Sequence, residues 1–285
     1  MNANRPKCDV IKVANRSRTD DRVLMNSVVK QAGDLAMTYF RNDPKAWDKS
    51  HDNPVSEADL AVDKFLHDAL IGKRPDYGWL SEETEDNPKR LTCERIWVVD
   101  PIDGTRAFLR GTDDWGVSVA LIENHSVVLA AFYAPVKQSF YQAELGKGAI
   151  KNGQPIQVST TTNLCNARMM GDPSAFLSKK IWPNPWPPTM ITEQQNSIAL
   201  RLALVADGQF DMCVSLRPKN EWDVAATDLI VREAGGIVHA GHGHNFKYNR
   251  ERPIYDHVIA SNEILMPQVM EKVEPALELW NKPQP

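Results

Sequence analysis

The most constraining stretch of this 285-residue chain runs from Trp97 to Trp115 and reads WVVDPIDGTRAFLRGTDDW. Ile96 to Val99 are apolar and favour extended backbone, which predicts a short buried strand. That strand is expected to end at Asp100, because Pro101 has no backbone N–H to continue a ladder. Asp103 follows, then Gly104, which permits a turn that other residues resist, and Arg106 to Leu109 read as a short helical turn. Two carboxylates, the Ile102 carbonyl and the Thr105 hydroxyl are thus gathered at the carboxyl end of a strand. Open α/β sheets hold their ligands at that place. Taken alone, D-x-x-D-G is equally a polar turn whose Asp side chains cap backbone amides. Other oxygen ligands have to decide between the two.

A chain of this length buries a sizeable core, as one large domain or two intimate halves. The reading is one domain over residues 1–285, with an N-terminal α+β half at 19–160 and a C-terminal α/β half at 161–285. Lys plus Arg number 33 against 37 Asp plus Glu, a formal charge of −4, so no general nucleic-acid surface is indicated. Cys8, Cys93, Cys165 and Cys213 show no C-x-x-C spacing, which speaks against a disulfide framework or a zinc site and fits a reducing cytoplasm. The opening MNANRPKCDV lacks the apolar core of a signal peptide, and no apolar run reaches membrane-spanning length. Neither a nucleic acid polymer nor a membrane is an expected partner.

Residues 1–18 are polar and read as loosely held. Apolar residues recur at helical spacing from Asp20 to Phe40, whereas Arg41 to Pro54 is charged and turn-rich without a period. Ser56, with Asp59 three residues on, has the shape of a capping box opening a second helix that Gly72 closes. Tyr77–Leu80 reads as a brief strand ending in Ser81-Glu82-Glu83. Trp115–Ile122 and Val127–Ala134 read as an antiparallel pair, extended by Phe140–Ala143 and Ile156–Ser159. Between Pro173 and Pro188 lie five prolines, and WPNPWPP reads as a stiff surface connection. Beyond it, Met190–Thr192, Phe210–Val214, Ile237–Ala240 and Val258–Ser261 alternate as strands with helices at Ser197–Ala206, Asp223–Ala234 and Asn262–Trp280. A meander followed by alternating elements indicates stacked helix and sheet layers of the α+β class.

Asp59, Glu82, Glu83 and Asp223 each have an ordinary explanation as helix-start or loop acids. Together they match a more specific pattern. SEE, WVVDPIDGT and EWDVAATDLIVREAGG, in that order, resemble the inositol monophosphatase superfamily of Mg²⁺-dependent, Li⁺-sensitive phosphatases. NPVSEAD and GKGAIKNGQPIQVS resemble two further elements of that family, so the resemblance runs from about Lys49 to Asn249. It implies a layered αβαβα sugar-phosphatase fold, a homodimer and a small phosphorylated metabolite as substrate. In this reading Glu82, Asp100 and the Ile102 carbonyl hold one Mg²⁺, and Asp100, Asp103 and Asp223 hold a second. Thr105, bonded to Asp59, handles the attacking water, making Asp59, Thr105 and Glu82 the catalytic set. Gly104 and Thr105 amides cradle the phosphate. Glu83 and Lys49 take an outer role, beside a third and weaker ion. Hard oxygen donors are what Mg²⁺ prefers, and crowded carboxylates would otherwise repel a phosphate dianion.

Substrate choice rests on other residues. Inositol-selective members carry an acid seven positions before the helix Asp, and this chain has Leu216 there. LRPKNEWD instead brings Lys219 and Asn220 near the site, and a lysine there suits a second phosphate. RPDYGWLSEETED and the EWDVAA helix look like bacterial 3'(2'),5'-bisphosphate nucleotidases, with 3'-phosphoadenosine 5'-phosphate as the implied substrate. Inositol 1-phosphate, histidinol phosphate and fructose 1,6-bisphosphate are the alternatives. A non-catalytic scaffold of the same fold is the alternative of another class, and it is opposed by the presence of every expected oxygen ligand. His239, His242 and His244 read as exposed loop histidines rather than a metal site.

Overall fold

A computed structural model describes residues 17–50, 53–176, 178, 180–241 and 243–280. The first sixteen residues with Cys8, and likewise His242, lie outside the described residues.

In chain order the elements begin with α1 (Arg18–Tyr39), β1 (Ala46–Ser50), β2 (Asn53–Ser56) and α2 (Glu57–Ile71). The central meander is β3 (Gly78–Ser81), β4 (Arg95–Asp103), α3 (Thr105–Leu109), β5 (Gly116–Glu123), β6 (Ser126–Ala134), β7 (Ser139–Glu144), β8 (Ala149–Lys151) and β9 (Gln154–Pro155). Then come β10 (Arg168–Met170), α4 (Pro173–Phe176), β11 (Ile191–Glu193), α5 (Ile198–Ala206), β12 (Met212–Ser215), β13 (Lys219–Asn220) and α6 (Glu221–Glu233). The chain finishes with β14 (Gly236–His239), β15 (Ile254–Tyr255), β16 (Val258–Asn262) and α7 (Met266–Trp280).

Two sheets carry the architecture. Strands β3 to β9 form a seven-stranded sheet in sequence order, antiparallel except for the parallel β3–β4 pair. The second sheet has five strands in the order β11-β10-β12-β16-β14. Alternation along β4 shows how the layers stack, since successive side chains face opposite sides of a sheet. Trp97 and Val99 join the core under α1 and α2, with Val29 and Leu66. Ile96 and Val98 join the core built around α5 and α6, with Leu200 and Leu229. On the far side of the second sheet, Met212, Val214 and Ile259 pack with Val269 and Val273 of α7. Helices, sheet, helices, sheet and helix therefore form the five layers of the expected αβαβα fold.

Several local expectations are corrected. Pro101 does not end β4, which continues to Asp103. The ladder shifts register between Asp100 (opposite Ser118) and Asp103 (opposite Gly116), so one extra residue is absorbed in a bulge that leaves Pro101 out of the pairing. Within and just beyond the segment 41–54, read as having no period, β1 and β2 pair antiparallel. Residues 156–159 are not a strand. The sheet instead takes β8 and β9 from the Gly- and Asn-rich segment before them, and Val158 makes a single bridge, its N–H donating to Ala234 O at 3.0 Å. Helix α6 starts at Glu221, two residues before Asp223, and α7 starts at Met266. The WPNPWPP segment is more than a surface connection, because Trp182 and Trp186 are buried in the α7 layer. Trp182 stacks on Phe176 with ring centroids 5.4 Å apart.

Candidate active site

The parallel register of β3 on β4 sets Ser81 beside Val99, so the next residues, Glu82 and Asp100, leave the two strands side by side. Asp100 continues the face of β4 that Ile96 and Val98 turn toward α6, and α6 presents Asp223 from its first turn. Oxygen atoms of Glu82, Asp100 and Asp223 all lie within 4.8 Å of one another. Among the described residues no other group of His, Cys, Asp or Glu is so assembled, and His239 and His244 do not form one.

Two of these acids accept backbone hydrogen bonds that fix them in place. The Ile102 N–H donates to Asp100 Oδ1 at 3.1 Å, and the Asn220 N–H donates to Asp223 Oδ2 at 2.7 Å. Asp103 lines the same cavity but is drawn to the start of α5. Its Oδ2 accepts from the Ser197 hydroxyl and, at 2.6 Å, from the Ala199 N–H. Asp59 accepts the Ser56 N–H at 2.8 Å, which caps α2, while its other oxygen accepts from Thr105 Oγ1 at 3.1 Å. The same hydroxyl is 3.2 Å from Ile102 O. Gly104, with φ of +97°, makes the turn from β4 into α3, and a Cβ there would lie 2.8 Å from Asp114 O. Only glycine fits.

Burial and mutual repulsion dominate the electrostatics. Desolvation, then the charge of Asp223, pushes Glu82 up to about 8. Asp100 is raised well above the usual carboxylate range by burial and then by Glu82. Asp223 rises to about 7 through burial and then Asp103. Burial also raises Asp103 and Asp59, against the bonds from Ser197 and Ser56 respectively. Lys49 lies on the rim, 2.6 Å from Glu83 and 3.6 Å from Glu82. A cluster of hard oxygens with unneutralised charge fits a divalent cation, which would relieve the repulsion that raises all three acids.

Lys219 completes the set read from sequence. It lines the adjoining cavity with Asp103 and Asp223, and its amine donates to Pro218 O at 3.1 Å. The outer supports were not foreseen. Ser197 was legible as a helix start, but its bond to Asp103 spans 94 residues of sequence. Asp63, one turn beyond Asp59 on α2, accepts from Ser81 Oγ at 2.5 Å and Thr84 Oγ1 at 2.6 Å, and so braces the turn that carries Glu82.

The inositol monophosphatase family model matches residues 19–278, and the chain belongs to that family. A histidinol-phosphatase from Chlorobaculum parvum is 32% identical over 76% of this chain and 85% of its own length. A 3'(2'),5'-bisphosphate nucleotidase CysQ from Aggregatibacter actinomycetemcomitans is also 32% identical, over 74% of this chain and 81% of its own. Among solved structures, the Thermotoga maritima IMPase superposes with a TM-score of 0.79 at 28% identity, covering 91% of this chain and 98% of that one. These similarities make the protein a phosphoric monoester hydrolase of the inositol monophosphatase family. No helix among the described residues is long and apolar enough to cross a membrane.

Proposed function

We propose that this protein is a Mg²⁺-dependent phosphatase that removes a phosphate from 3'-phosphoadenosine 5'-phosphate. The observation that carries the reading is the Glu82, Asp100 and Asp223 cluster beside the Thr105–Asp59 pair. Glu82, Asp100 and the Ile102 carbonyl would hold one ion, and Asp100, Asp103 and Asp223 a second. Glu83 and Lys49 would take an outer role. Bound Mg²⁺ supplies a water of lowered pKa and a positive clamp for the phosphoryl oxygens.

The protein's own groups do the rest. Thr105 Oγ1 orients the attacking water and passes a proton to Asp59, whose burial makes it a stronger base than an exposed Asp. Amides of Gly104 and Thr105 face the phosphate from the turn. Because Glu82 and Asp100 come from the first half of the chain and Asp223 from the second, the two halves work as one catalytic domain. A cytoplasmic homodimer inhibited by Li⁺ completes the proposal.

The nucleotide preference is supported by Leu216, apolar where an inositol-gripping acid is expected, and by Lys219 close by. Phosphate release should be measured with Mg²⁺ and with EDTA from 3'-phosphoadenosine 5'-phosphate, inositol 1-phosphate, histidinol phosphate and fructose 1,6-bisphosphate. A higher kcat/KM for the nucleotide is expected. Preference for inositol 1-phosphate would overturn the substrate assignment, and no Mg²⁺-dependent release from any would overturn the phosphatase.

A further inference from the structure

Beside the carboxylate cluster opens a larger cavity of about 490 Å³. It shares Asp103, Arg106, Asn196 and Asp223 with the cavity at the cluster. A substrate whose scissile phosphate sits at the cluster must therefore place its remaining body here. One wall is apolar, with Ile181, Trp182, Val214 and Leu216. The other carries Arg201 from α5, Arg217 from the β12–β13 connection and Lys219 from β13, and Asp172 also lines the cavity.

These three cations share an unusual condition. Arg201 Nε donates to Gln195 O at 2.6 Å, which fixes the guanidinium, and Lys219 donates only to a backbone carbonyl. Among the described residues none of the three has a carboxylate within ion-pair distance. Asp103 is already bonded to α5, and Asp223 belongs to the cluster. Lys219 and Arg201 line one cavity with Asp103 and Asp223, which places both beside the reacting centre. Unpaired cations on the wall of a substrate cavity have the chemistry of an anion receptor.

We propose that Arg201, Arg217 and Lys219 bind a second anionic group of the substrate, a phosphate or carboxylate distant from the scissile phosphate. The inference rests on the phosphatase reading and deepens it. A leaving group with an ammonium, as in histidinol phosphate, would be repelled. A neutral polyol would gain nothing from the three charges. Nucleoside and sugar bisphosphates satisfy the receptor equally in charge, and the apolar wall favours the flatter body.

The test compares substrates that differ only in the second anion. kcat/KM would be measured for 3'-phosphoadenosine 5'-phosphate against adenosine 3'-phosphate, and for fructose 1,6-bisphosphate against fructose 1-phosphate. The second anion should raise kcat/KM roughly tenfold to hundredfold, the worth of one or two charged hydrogen bonds. A larger gain in the nucleotide pair identifies the nucleotide, and a larger gain in the sugar pair identifies the sugar. Arg217→Ala, at an exposed position that folding tolerates, should reduce the ratio about tenfold, and Arg217→Glu further, with Arg217→Lys restoring part. Ratios near one in both pairs, or ratios indifferent to Arg217→Glu, would overturn the receptor while leaving the phosphatase intact. Should no substrate turn over, calorimetric binding of the two adenosine nucleotides decides, and equal affinities would overturn it.

Discussion

Glu82→Gln should make the metal-free protein more stable while removing its function. Glu82 is largely buried, and its carboxyl is pushed from an ordinary 4.5 to about 8 by desolvation and by Asp223. An acid whose folded pKa is raised binds its proton more tightly in the native state. Its destabilising effect is absent below pH 4.5 and grows until the pH passes about 8. At pH 7 the gap from 4.5 amounts to about 3 kcal/mol, at 1.36 kcal/mol for each pH unit. Some of this is shared with Asp100 and Asp223, which would relax together. Losing the Lys49 contact at 3.6 Å costs little, since Lys49 keeps Glu83 at 2.6 Å. For a protein of this size a gain of 1–3 kcal/mol raises Tm by roughly 2–6 °C. The assay is calorimetry in EDTA from pH 5 to 8.5, repeated with Mg²⁺. Wild-type Tm should fall with rising pH in EDTA and recover with Mg²⁺, and the variant should show a weaker fall and a weaker Mg²⁺ response. A wild-type Tm that is flat or rising over that range, with no advantage for the variant at pH 8, would refute the electrostatic account.

Thr105→Ala should lower kcat by about two to four powers of ten while Mg²⁺ still stabilises the fold, and normal turnover would remove Thr105 from proton handling. Ser197→Ala releases Asp103 from its hydroxyl partner and should raise the Mg²⁺ concentration for half-maximal activity about tenfold or more, read from a metal titration. Trp182→Ala empties the stacked pocket against Phe176 and should cost about 3–5 kcal/mol in urea unfolding; a loss under 1 kcal/mol would mean that the Pro-rich segment is not anchored there.

Short-range chemistry was legible in the sequence. The apolar run Ile96–Val99, the Ser56–Asp59 cap and the Gly104 turn each announce themselves by residue type, and the structure has them. Pro101 was misread because a missing N–H ends a ladder only when the register is kept, and here a bulge takes the proline out of it. The β1–β2 pairing escaped because AWDKS has no alternating apolar face, and residue Trp47 is nearly half exposed. Trp182 and Trp186 gave no periodic signal, as they are buried by contact with α7, almost a hundred residues on. The site divides in the same way. Its acids stand in recognisable local motifs, whereas the bonds of Ser197 to Asp103 and of Asp63 to Ser81 and Thr84 join separate elements and left no mark in spacing.

Crystals soaked in Mn²⁺ would test the central claim most directly, because anomalous scattering locates the metal without reference to turnover. The account predicts a peak about 2.1 Å from oxygens of Glu82 and Asp100, and a second reached by Asp223, with both lost in Asp100→Asn. Peaks elsewhere on the protein with none at this cluster would contradict it.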